Sequence, residues 1–460
     1  MQELRPTLSE RLLQHKAGST ARCGRQPKQE ELVMAKSQWT KAEPKGLPLI
    51  EIVCLVLEEA AQKVIRNKGA AGVDGITFED LPRFLEKHGE KIKQKLRNGT
   101  YIPAPVKRVD IPKPNGGTRM LGIPTLLDRT IQQAIVMAIG SDFEEQFSNK
   151  SYGLREGRNC QQAVLKAQEY VESGKCWVVE MDLSKFFDRV NHDILMDRVS
   201  RVITDKPLLK LIRRYLNAGI MEDGLANPRT QGVPQGSPLS PLLSNVMLTE
   251  LDWEIDSRGL SHVRYADDCN IYVKSEKAAQ RVLNSITQYV EGELKLRVNR
   301  DKSGTFRPKD STFLGYTFSK ADSKCIVVAE KSVKRLWTKL HKMFNSARGT
   351  SLKKTIERIT PVLRGWRNYY RLDTRKTYWS EMDERIRHHL RKLIWIAWKR
   401  RKTRARNLIK LGLDPETAWK SSMNGRGAWW NSGQAHMNLT IKNRRFARLG
   451  LYSLRFMAIC

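Results

Sequence analysis

The sequence predicts an α+β fold that is followed by an all-helical region. Segments with β-type patterning occur between helical patterns only before about residue 325, at 106–111, 177–181, 262–265 and 270–273. Their irregular spacing disfavours regular alternation of strands and helices around a parallel sheet. Beyond residue 330 the pattern is purely helical, and apolar residues share one helical face at Ile386, Leu390, Leu393 and Ala397.

Composition points to a globular protein with a polyanionic partner. The 460 residues include 82 Lys and Arg against 49 Asp and Glu, so the formal net charge is +33. Such a surplus makes nucleic acid the leading candidate partner. No apolar run is long enough to cross a membrane. The seven cysteines are scattered without a Cys-x-x-Cys pair, which excludes a disulfide framework and predicts a reducing, cytoplasmic location.

The positive charge is concentrated late in the chain. Residues 331–410 carry 25 Lys and Arg against 5 Asp and Glu, well beyond the charge of roughly 2–8 that solubility asks of a small domain. We therefore expect this region to contact phosphates. This region and its continuation hold a series of tryptophans, most of which we expect to be buried because large aromatic side chains usually are. These are Trp337, Trp366, Trp379, Trp395, Trp398, Trp419, Trp429 and Trp430.

The first part of the chain supplies three predicted elements. Residues 1–47 are polar, basic and aperiodic, which predicts a flexible or partly helical extension. A helix is predicted over 49–67, and a glycine-rich turn follows it. The stretch from Ile111 to Arg119 predicts a hairpin whose cations, Lys113 and Arg119, suit a triphosphate, although an ordinary hairpin explains it equally well.

Two acidic motifs predict the chemistry. Asp182 ends a predicted strand, and Asp267-Asp268 forms the tip between two others. If Asp182 lies beside that tip, three carboxylates converge, which is unfavourable unless cations separate them. Two Mg²⁺ ions about 3.5–4 Å apart would do so and would promote phosphoryl transfer. The alternative for Asp267-Asp268 alone is a surface turn.

A Pro/Gly-rich loop lies between the acidic motifs, over residues 231–241, and enters an apolar helix. Such a loop can present its backbone and the Gln235 amide to a base pair, although an ordinary connection is an equally good explanation. The order of all these motifs along the chain is not explained by the ordinary alternatives.

Together the motifs resemble a reverse transcriptase, in particular a bacterial group II intron-encoded reverse transcriptase/maturase, over roughly residues 48–458. The most specific segments are Asp182-Leu-Ser-Lys-Phe-Phe-Asp-Arg-Val190, Gln235-Gly-Ser-Pro-Leu-Ser-Pro241, Tyr265-Ala-Asp-Asp268, Phe313-Leu-Gly-Tyr316 and Leu363-Arg-Gly-Trp-Arg-Asn-Tyr-Tyr-Arg371. The resemblance implies a right-hand polymerase. Its fingers and its palm with an antiparallel sheet would occupy 48–325, a helical thumb 326–411, and a basic nucleic-acid-binding module 412–460.

The resemblance also implies roles for individual residues in RNA-directed DNA synthesis. Asp182, Asp267 and Asp268 match the metal-binding triad for two Mg²⁺ ions, with Asp268 the least directly engaged. Lys302 matches a general acid that protonates the departing pyrophosphate. Without the resemblance, we would regard Lys302 as a surface cation.

The expected substrate contacts follow in the same way. Lys113 and Arg119 match residues that hold the incoming deoxynucleoside triphosphate, and Gln235 lies in the loop that faces the base pair. Phe187 matches a steric gate against the ribose 2′-hydroxyl, where a core aromatic is the ordinary alternative. The primer grip would be Phe313, Leu314, Gly315 and Tyr316. Contacts with nucleic acid are expected from Arg364, Arg367, Arg371, Arg387, Arg391, Lys399, Arg400 and Arg401.

The chain also departs from the family pattern. Gly153-Leu154-Arg155-Glu156-Gly157-Arg158 stands where relatives usually have Gly-Phe-Arg-Pro-Gly-Arg, which puts local rigidity in doubt. The paired cysteines of the His/Cys-rich endonuclease domain found in many relatives have no counterpart, so we expect no DNA cleavage and a primer from elsewhere.

Three functions remain open from the sequence. The first is a polymerase that also binds its parent intron RNA and assists splicing and retrohoming on a DNA target. The second is a domesticated reverse transcriptase in host defence or DNA repair. The third is an RNA-binding splicing factor with a vestigial polymerase site, which the retention of every catalytic position argues against.

Overall fold

The computed structural model describes residues 39–42, 45–112, 116, 118–222, 225–227, 229–322 and 324–456. Most of the expected N-terminal extension, and Lys113, therefore lie outside the described residues. Among those described, no helix combines the length and apolar character needed to span a membrane.

Among its described residues, the N-terminal part contains three helices and a hairpin. The helices are α1 (Leu49–Leu55), α2 (Leu57–Arg66) and α3 (Leu81–Arg97), and the strands are β1 (Val106–Pro112) and β2 (Thr118–Ile123). The single helix expected over 49–67 is divided at Val56, where φ is −89° and ψ is 7°. Strand β1 pairs antiparallel with β2, with Ile111 opposite Arg119, which confirms the predicted hairpin.

Seven helices and six strands follow in the part of the chain that the structure describes up to residue 306. The helices are α4 (Leu126–Glu144), α5 (Cys160–Glu172), α6 (Phe186–Arg189), α7 (His192–Val202), α8 (Lys206–Asn217), α9 (Ser240–Ser257) and α10 (Glu276–Gly292). The strands are β3 (Trp177–Met181), β4 (Ile220–Glu222), β5 (Leu225–Asn227), β6 (Ser261–Tyr265), β7 (Asp268–Val273) and β8 (Gly304–Phe306). This mixture confirms the predicted α+β class.

The central sheet has the strand order β6-β7-β3-β8, and every neighbouring pair is antiparallel. Because side chains alternate along a strand, its two faces pack into different cores. Val179 and Met181 of β3 join a core formed with α4, α7, α8, α9 and α10. Val178 of β3 and Tyr272 of β7 join a second core with the C-terminal helices. The sheet therefore separates two cores.

The C-terminal part begins with a strand pair, β9 (Tyr316–Phe318) with β10 (Ile326–Val328), and is then helical as predicted. Its helices are α11 (Glu330–Ser346), α12 (Leu352–Tyr369), α13 (Lys376–Ala397), α14 (Arg401–Lys410), α15 (Pro415–Met423), α16 (Ala428–Gly433), α17 (Ala435–Thr440) and α18 (Asn443–Arg448).

The tryptophans of this part divide into two groups. Trp337, Trp379 and Trp395 are buried, and Trp366 and Trp398 pack against the same core. This confirms that most of the eight belong to the core. The remaining three, Trp419, Trp429 and Trp430, are exposed by 38–44%.

Candidate active site

The three carboxylates predicted to act together lie at one end of the central sheet. In the β6–β7 hairpin, Tyr265 pairs with Asp268, and Ala266 and Asp267 form the turn. Strand β3 is the other neighbour of β7, with Met181 opposite Cys269. Asp182, which directly follows β3, is therefore beside the turn that carries Asp267 and Asp268.

The crowding of these carboxylates raises the pKa of one of them, Asp268. The Asp268 side chain reaches solvent, but the protein packed around it and, to a smaller extent, the charges of Asp267 and Asp182 together raise its pKa to about 6. The positive charge of Lys302 opposes this shift. A site that penalises its own negative charge in this way favours a bound cation.

Asp182 is held by the segment that follows α10. Its backbone N–H donates to Ser303 Oγ at 3.0 Å, and its carbonyl accepts from the Asn299 N–H at 2.8 Å. Its Oδ2 accepts from Asn299 Nδ2 at 2.9 Å, and Lys302 Nζ lies 3.4 Å away from the same oxygen. The structure thus places Lys302 beside Asp182, and its expected role as a general acid stays a prediction. Asn299 was missed, although it lies three residues before Lys302 in the same segment.

The donor set fits a divalent metal ion in its chemistry. Carboxylate oxygens are the ligands that Mg²⁺ prefers, and it commonly takes only one or two of them and completes its shell with water and substrate phosphate. Within the described ranges, no group of three or more His, Cys, Asp and Glu side chains is arranged to hold a metal by itself.

An open cavity of about 520 Å³ brings together two of the predicted substrate residues, Phe187 and Gln235. Phe186 is buried in the core at 3% exposure, whereas Phe187 is only partly buried and reaches the cavity. The cavity is also lined by residues that the sequence analysis did not single out. These are Val64, Asn67, Arg129, Gln133, Leu154, Gly236, Ser237, Pro238, Ser240 and Pro241.

Backbone hydrogen bonds bring Phe187 and Gln235 to the same cavity. The Val233 N–H donates to the Phe187 carbonyl at 2.6 Å, and the Gly122 N–H donates to the Gln235 carbonyl at 3.0 Å. Gly232 has φ +88°, and a Cβ there would lie 2.9 Å from the Phe187 carbonyl oxygen. The loop is therefore closely attached to the start of α6 on one side and to β2 on the other.

The remaining predicted triphosphate contact is only partly placed. The backbone of Arg119 lies in β2, opposite Ile111, but its side chain lies outside what the structure describes.

The expected primer-grip residues form a two-residue turn. The N–H groups of Phe313 and Tyr316 donate to each other's carbonyls at 3.0 and 2.9 Å. Leu314 and Gly315 between them have φ +53° and +79°, the left-handed conformation that tight hairpin turns require. The turn is attached to α12, because Tyr369 Oη donates to the Leu314 carbonyl at 3.1 Å and Tyr316 Oη donates to the Tyr369 carbonyl.

The eight cations expected to contact nucleic acid do not share one environment. Six reach solvent, at Arg364, Arg371, Arg387, Lys399, Arg400 and Arg401. Arg367 and Arg391 are only 4% exposed and donate to backbone carbonyls, those of Leu454 and Ile441 among them. The expectation for these two is corrected: they satisfy buried carbonyls and hold the C-terminal segment against α12 and α13.

A second cavity, of about 780 Å³, lies in the C-terminal region and is strongly basic. Its lining combines the end of α14 with α17, α18 and the residues between them. Five of its lining residues are cations, namely Lys410, Lys442, Arg444, Arg445 and Arg448. The sequence analysis placed a basic module here but did not identify these residues.

Comparison with known proteins identifies two family models in the chain. Residues 111–318 match the model "Reverse transcriptase (RNA-dependent DNA polymerase)", and residues 333–412 match "Group II intron, maturase-specific domain". The first match contains the carboxylates and the primer-grip turn, and the second contains α12 and α13. A reverse transcriptase domain implies a polymerase that depends on divalent metal, and the two domains together imply nucleic-acid partners that include intron RNA.

Individual relatives agree with these matches. Protein YkfC of Escherichia coli is 35% identical over 340 residues, which cover 64% of this chain and 89% of YkfC. The group II intron-encoded protein LtrA of Lactococcus lactis is 39% identical, over 42% of this chain and 32% of LtrA. The putative COX1/OXI3 intron 1 protein of Saccharomyces cerevisiae is 29% identical, over 62% of this chain and 34% of that protein.

The chain thus matches nearly all of YkfC but only about a third of the length of the two intron proteins. Four findings point to the same family. They are the carboxylate triad, the antiparallel palm sheet, the helical thumb and the two domain matches. The chain therefore belongs to the group II intron-encoded reverse transcriptase/maturase family, with the right-hand polymerase fold.

Proposed function

We propose that this protein is an RNA-directed DNA polymerase that adds deoxynucleotides to a primer 3′-hydroxyl on an RNA template. The observation that carries the proposal is the convergence of Asp182, Asp267 and Asp268 at the end of the palm sheet. The same three residues would hold two Mg²⁺ ions together with the triphosphate of the substrate. When bound, Mg²⁺ supplies charge neutralisation at the transferring phosphoryl group and activation of the primer hydroxyl.

The protein's own residues would orient the substrates. Phe187 would place its ring where a ribose 2′-hydroxyl would collide, and Gln235 would face the nascent base pair from the other side of the 520 Å³ cavity. Lys302 is 67% exposed beside Asp182, so it would be free to approach the departing pyrophosphate and donate a proton. Lys113 and Arg119 would bind the triphosphate, and the turn from Phe313 to Tyr316 would support the primer.

The C-terminal region would bind the RNA, including a parent intron RNA whose splicing and mobility it assists. Its support is the basic cavity around Lys442 and the exposed pair Trp429 and Trp430 on α16. The ring of Trp429 is stacked on His388 at 3.8 Å, and aromatic faces of this kind can stack on bases. A DNA or RNA primer and a DNA target complete the proposed partners.

Two further parts of the proposal concern organisation and location. Fingers and palm would occupy residues 48–325, the thumb 326–411 and the basic module 412–460, which agrees with the two family matches. A cytoplasmic location, with nucleoid association when the protein is on DNA, would place the enzyme with these nucleic acids.

The direct test is Mg²⁺-dependent primer extension on an RNA template with all four deoxynucleotides. We expect the wild-type protein to extend the primer and Asp267→Asn to lose extension while it retains RNA affinity. Asp197→Asn, an exposed change on α7, is the matched control and should behave as wild type. Tight RNA binding without extension by the wild type would instead favour a splicing factor with a vestigial site.

A further inference from the structure

A fully buried arginine lies beneath the catalytic turn. Arg264, in β6, has 0% exposure, and its Nε and Nη2 donate to the two carboxylate oxygens of Asp252 on α9 at 2.8 and 2.7 Å. Asp252 is equally buried, and although burial raises its pKa, the charge and hydrogen bonds of Arg264 help to bring it below its usual value. A buried charge pair of this kind is tolerated only when its remaining donors also find partners.

The remaining guanidinium nitrogen of Arg264 reaches the turn. Its Nη1 donates to the Ala266 carbonyl at 2.9 Å and to Asn245 Oδ1 at 3.0 Å. Ala266 directly precedes Asp267 and has φ +56°, a left-handed conformation that is unfavourable for a residue with a side chain. Such a conformation persists only where its surroundings hold it, and the bond from Arg264 is one of the contacts that hold it.

Asn245 extends this network to the nucleotide cavity. Its Nδ2 donates to the Gly153 carbonyl at 3.0 Å, and the Leu154 carbonyl lies 3.4 Å away. Leu154 has φ +60° and lines the cavity that contains Phe187 and Gln235. Gly153 itself packs against the turn so closely that an added Cβ would lie 2.2 Å from the Ala266 nitrogen.

We propose that Asp252, Arg264 and Asn245 are positioning residues. They fix the position of the carboxylate turn relative to Gly153 and Leu154, which form part of the wall of the nucleotide cavity. None of them touches a reacting atom. Arg264 holds Ala266, Asn245 holds Gly153 and Leu154, and the bond between Arg264 and Asn245 joins the two segments. The inference rests on the proposed polymerase activity and assigns a function to residues outside the triad and the primer grip.

The central variant is Asn245→Leu, which keeps the approximate size of the side chain and removes its hydrogen bonds to Arg264, Gly153 and Leu154. Thr249→Val is the matched control, because Thr249 is equally buried one turn later on α9 and its Oγ1 donates to the Asn245 carbonyl within the helix. Asn245→Asp retains the acceptor for Arg264 but loses the donor to Gly153, so it separates the two halves of the network.

We expect kcat of Asn245→Leu to fall about 10- to 100-fold, as misplacement of reacting groups by about an ångström does. We also expect the Mg²⁺ concentration for half-maximal activity and KM for deoxynucleotides to rise several-fold, with RNA affinity unchanged. Asn245→Asp should lie between wild type and Asn245→Leu. Thr249→Val should retain the wild-type kcat, Mg²⁺ dependence and KM even if its Tm falls by as much as that of Asn245→Leu.

The proposal is overturned if Asn245→Leu has a lower Tm but the same kinetics as Thr249→Val. The quantities compared are kcat per active site, Mg²⁺ dependence and KM. If Asn245→Leu fails to fold, Gly153→Ala tests the same contact from the other side, and wild-type kinetics for that variant would also overturn the proposal. An inactive wild-type protein would instead contradict the polymerase proposal, so the two failures are distinguishable.

Discussion

The palm and the C-terminal helices each gather charges of one sign, but they do so in different ways. In the palm, three carboxylates are placed by strand register and by individual bonds, such as the one from Asn299 to Asp182. In the C-terminal region, five cations line an open cavity of about 780 Å³. A site that binds small ions depends on each group, whereas a surface that binds a polyanion depends on how many groups it has.

The sharpest way to examine this comparison is to remove one palm carboxylate. We expect Asp182→Asn to lower primer extension by about 1,000-fold or more, since each carboxylate in such a site supports metal-dependent phosphoryl transfer. RNA affinity, measured by fluorescence anisotropy, should remain near that of the wild type. An activity loss below tenfold would show that the palm tolerates the loss of a single charge, as a polyanion surface does.

The next largest effect concerns Phe187, the proposed steric gate against the ribose 2′-hydroxyl. Phe187→Ala should admit ribonucleotides, with the preference for deoxynucleotides falling about 10- to 100-fold because the discriminating contact is steric. The measurement is kcat/KM for matched ribo- and deoxynucleotides. Phe186→Leu is the control, and it should lower Tm without changing sugar preference because Phe186 is buried. The opposite pattern would assign the gate to Phe186.

Removal of one cation from the C-terminal cavity should have a smaller effect. Arg444→Gln should weaken RNA binding only a few-fold and reduce the slope of log affinity against log salt by about 0.7–0.9, the share of one phosphate contact. The buried Arg391→Gln should leave that slope unchanged but lower Tm, because it leaves the Ile441 carbonyl without its donor. Equal slopes for the wild type and Arg444→Gln would show that the cavity lined by Arg444 does not contact RNA phosphates.

The smallest effect is on stability. Because the folded pKa of Asp268 is raised to about 6, from an ordinary value of 3.8, its ionisation destabilises the metal-free protein as pH rises through that range. Asp268→Asn should therefore raise Tm by about 1 °C at pH 8 in EDTA, and the gain should disappear near pH 4. A gain that is the same at both pH values would show that crowded charge is not its cause.

Much of the active site could be predicted because its signals are local. The Asp267-Asp268 tip between two β segments identifies a hairpin by itself, and the order of motifs along the chain identifies the family that the domain matches confirm. The roles of Lys302, Phe187 and the primer-grip residues rest on matching short motifs, and they stay predictions.

Other features could not be predicted because they depend on contacts between distant segments. The sequence shows that Arg367 and Arg391 lie in basic helices, but only packing decides that they face the Leu454 and Ile441 carbonyls. Similarly, Arg264 and Asn245 lie in different elements, and nothing in either segment indicates that they share a hydrogen bond. The division of the first predicted helix at Val56 was also missed.

The two cores on either side of the palm sheet have a consequence for how the protein is made. The second core contains Val178 of β3, and it also contains Leu454, whose carbonyl accepts a hydrogen bond from Arg367. During synthesis, α5 can cover part of the sheet face that bears Val178, but this core stays incomplete until residue 454 has left the ribosome. Over that interval of some 275 residues, roughly 14–55 s at bacterial elongation speeds, a half-covered apolar sheet must be kept from other nascent chains.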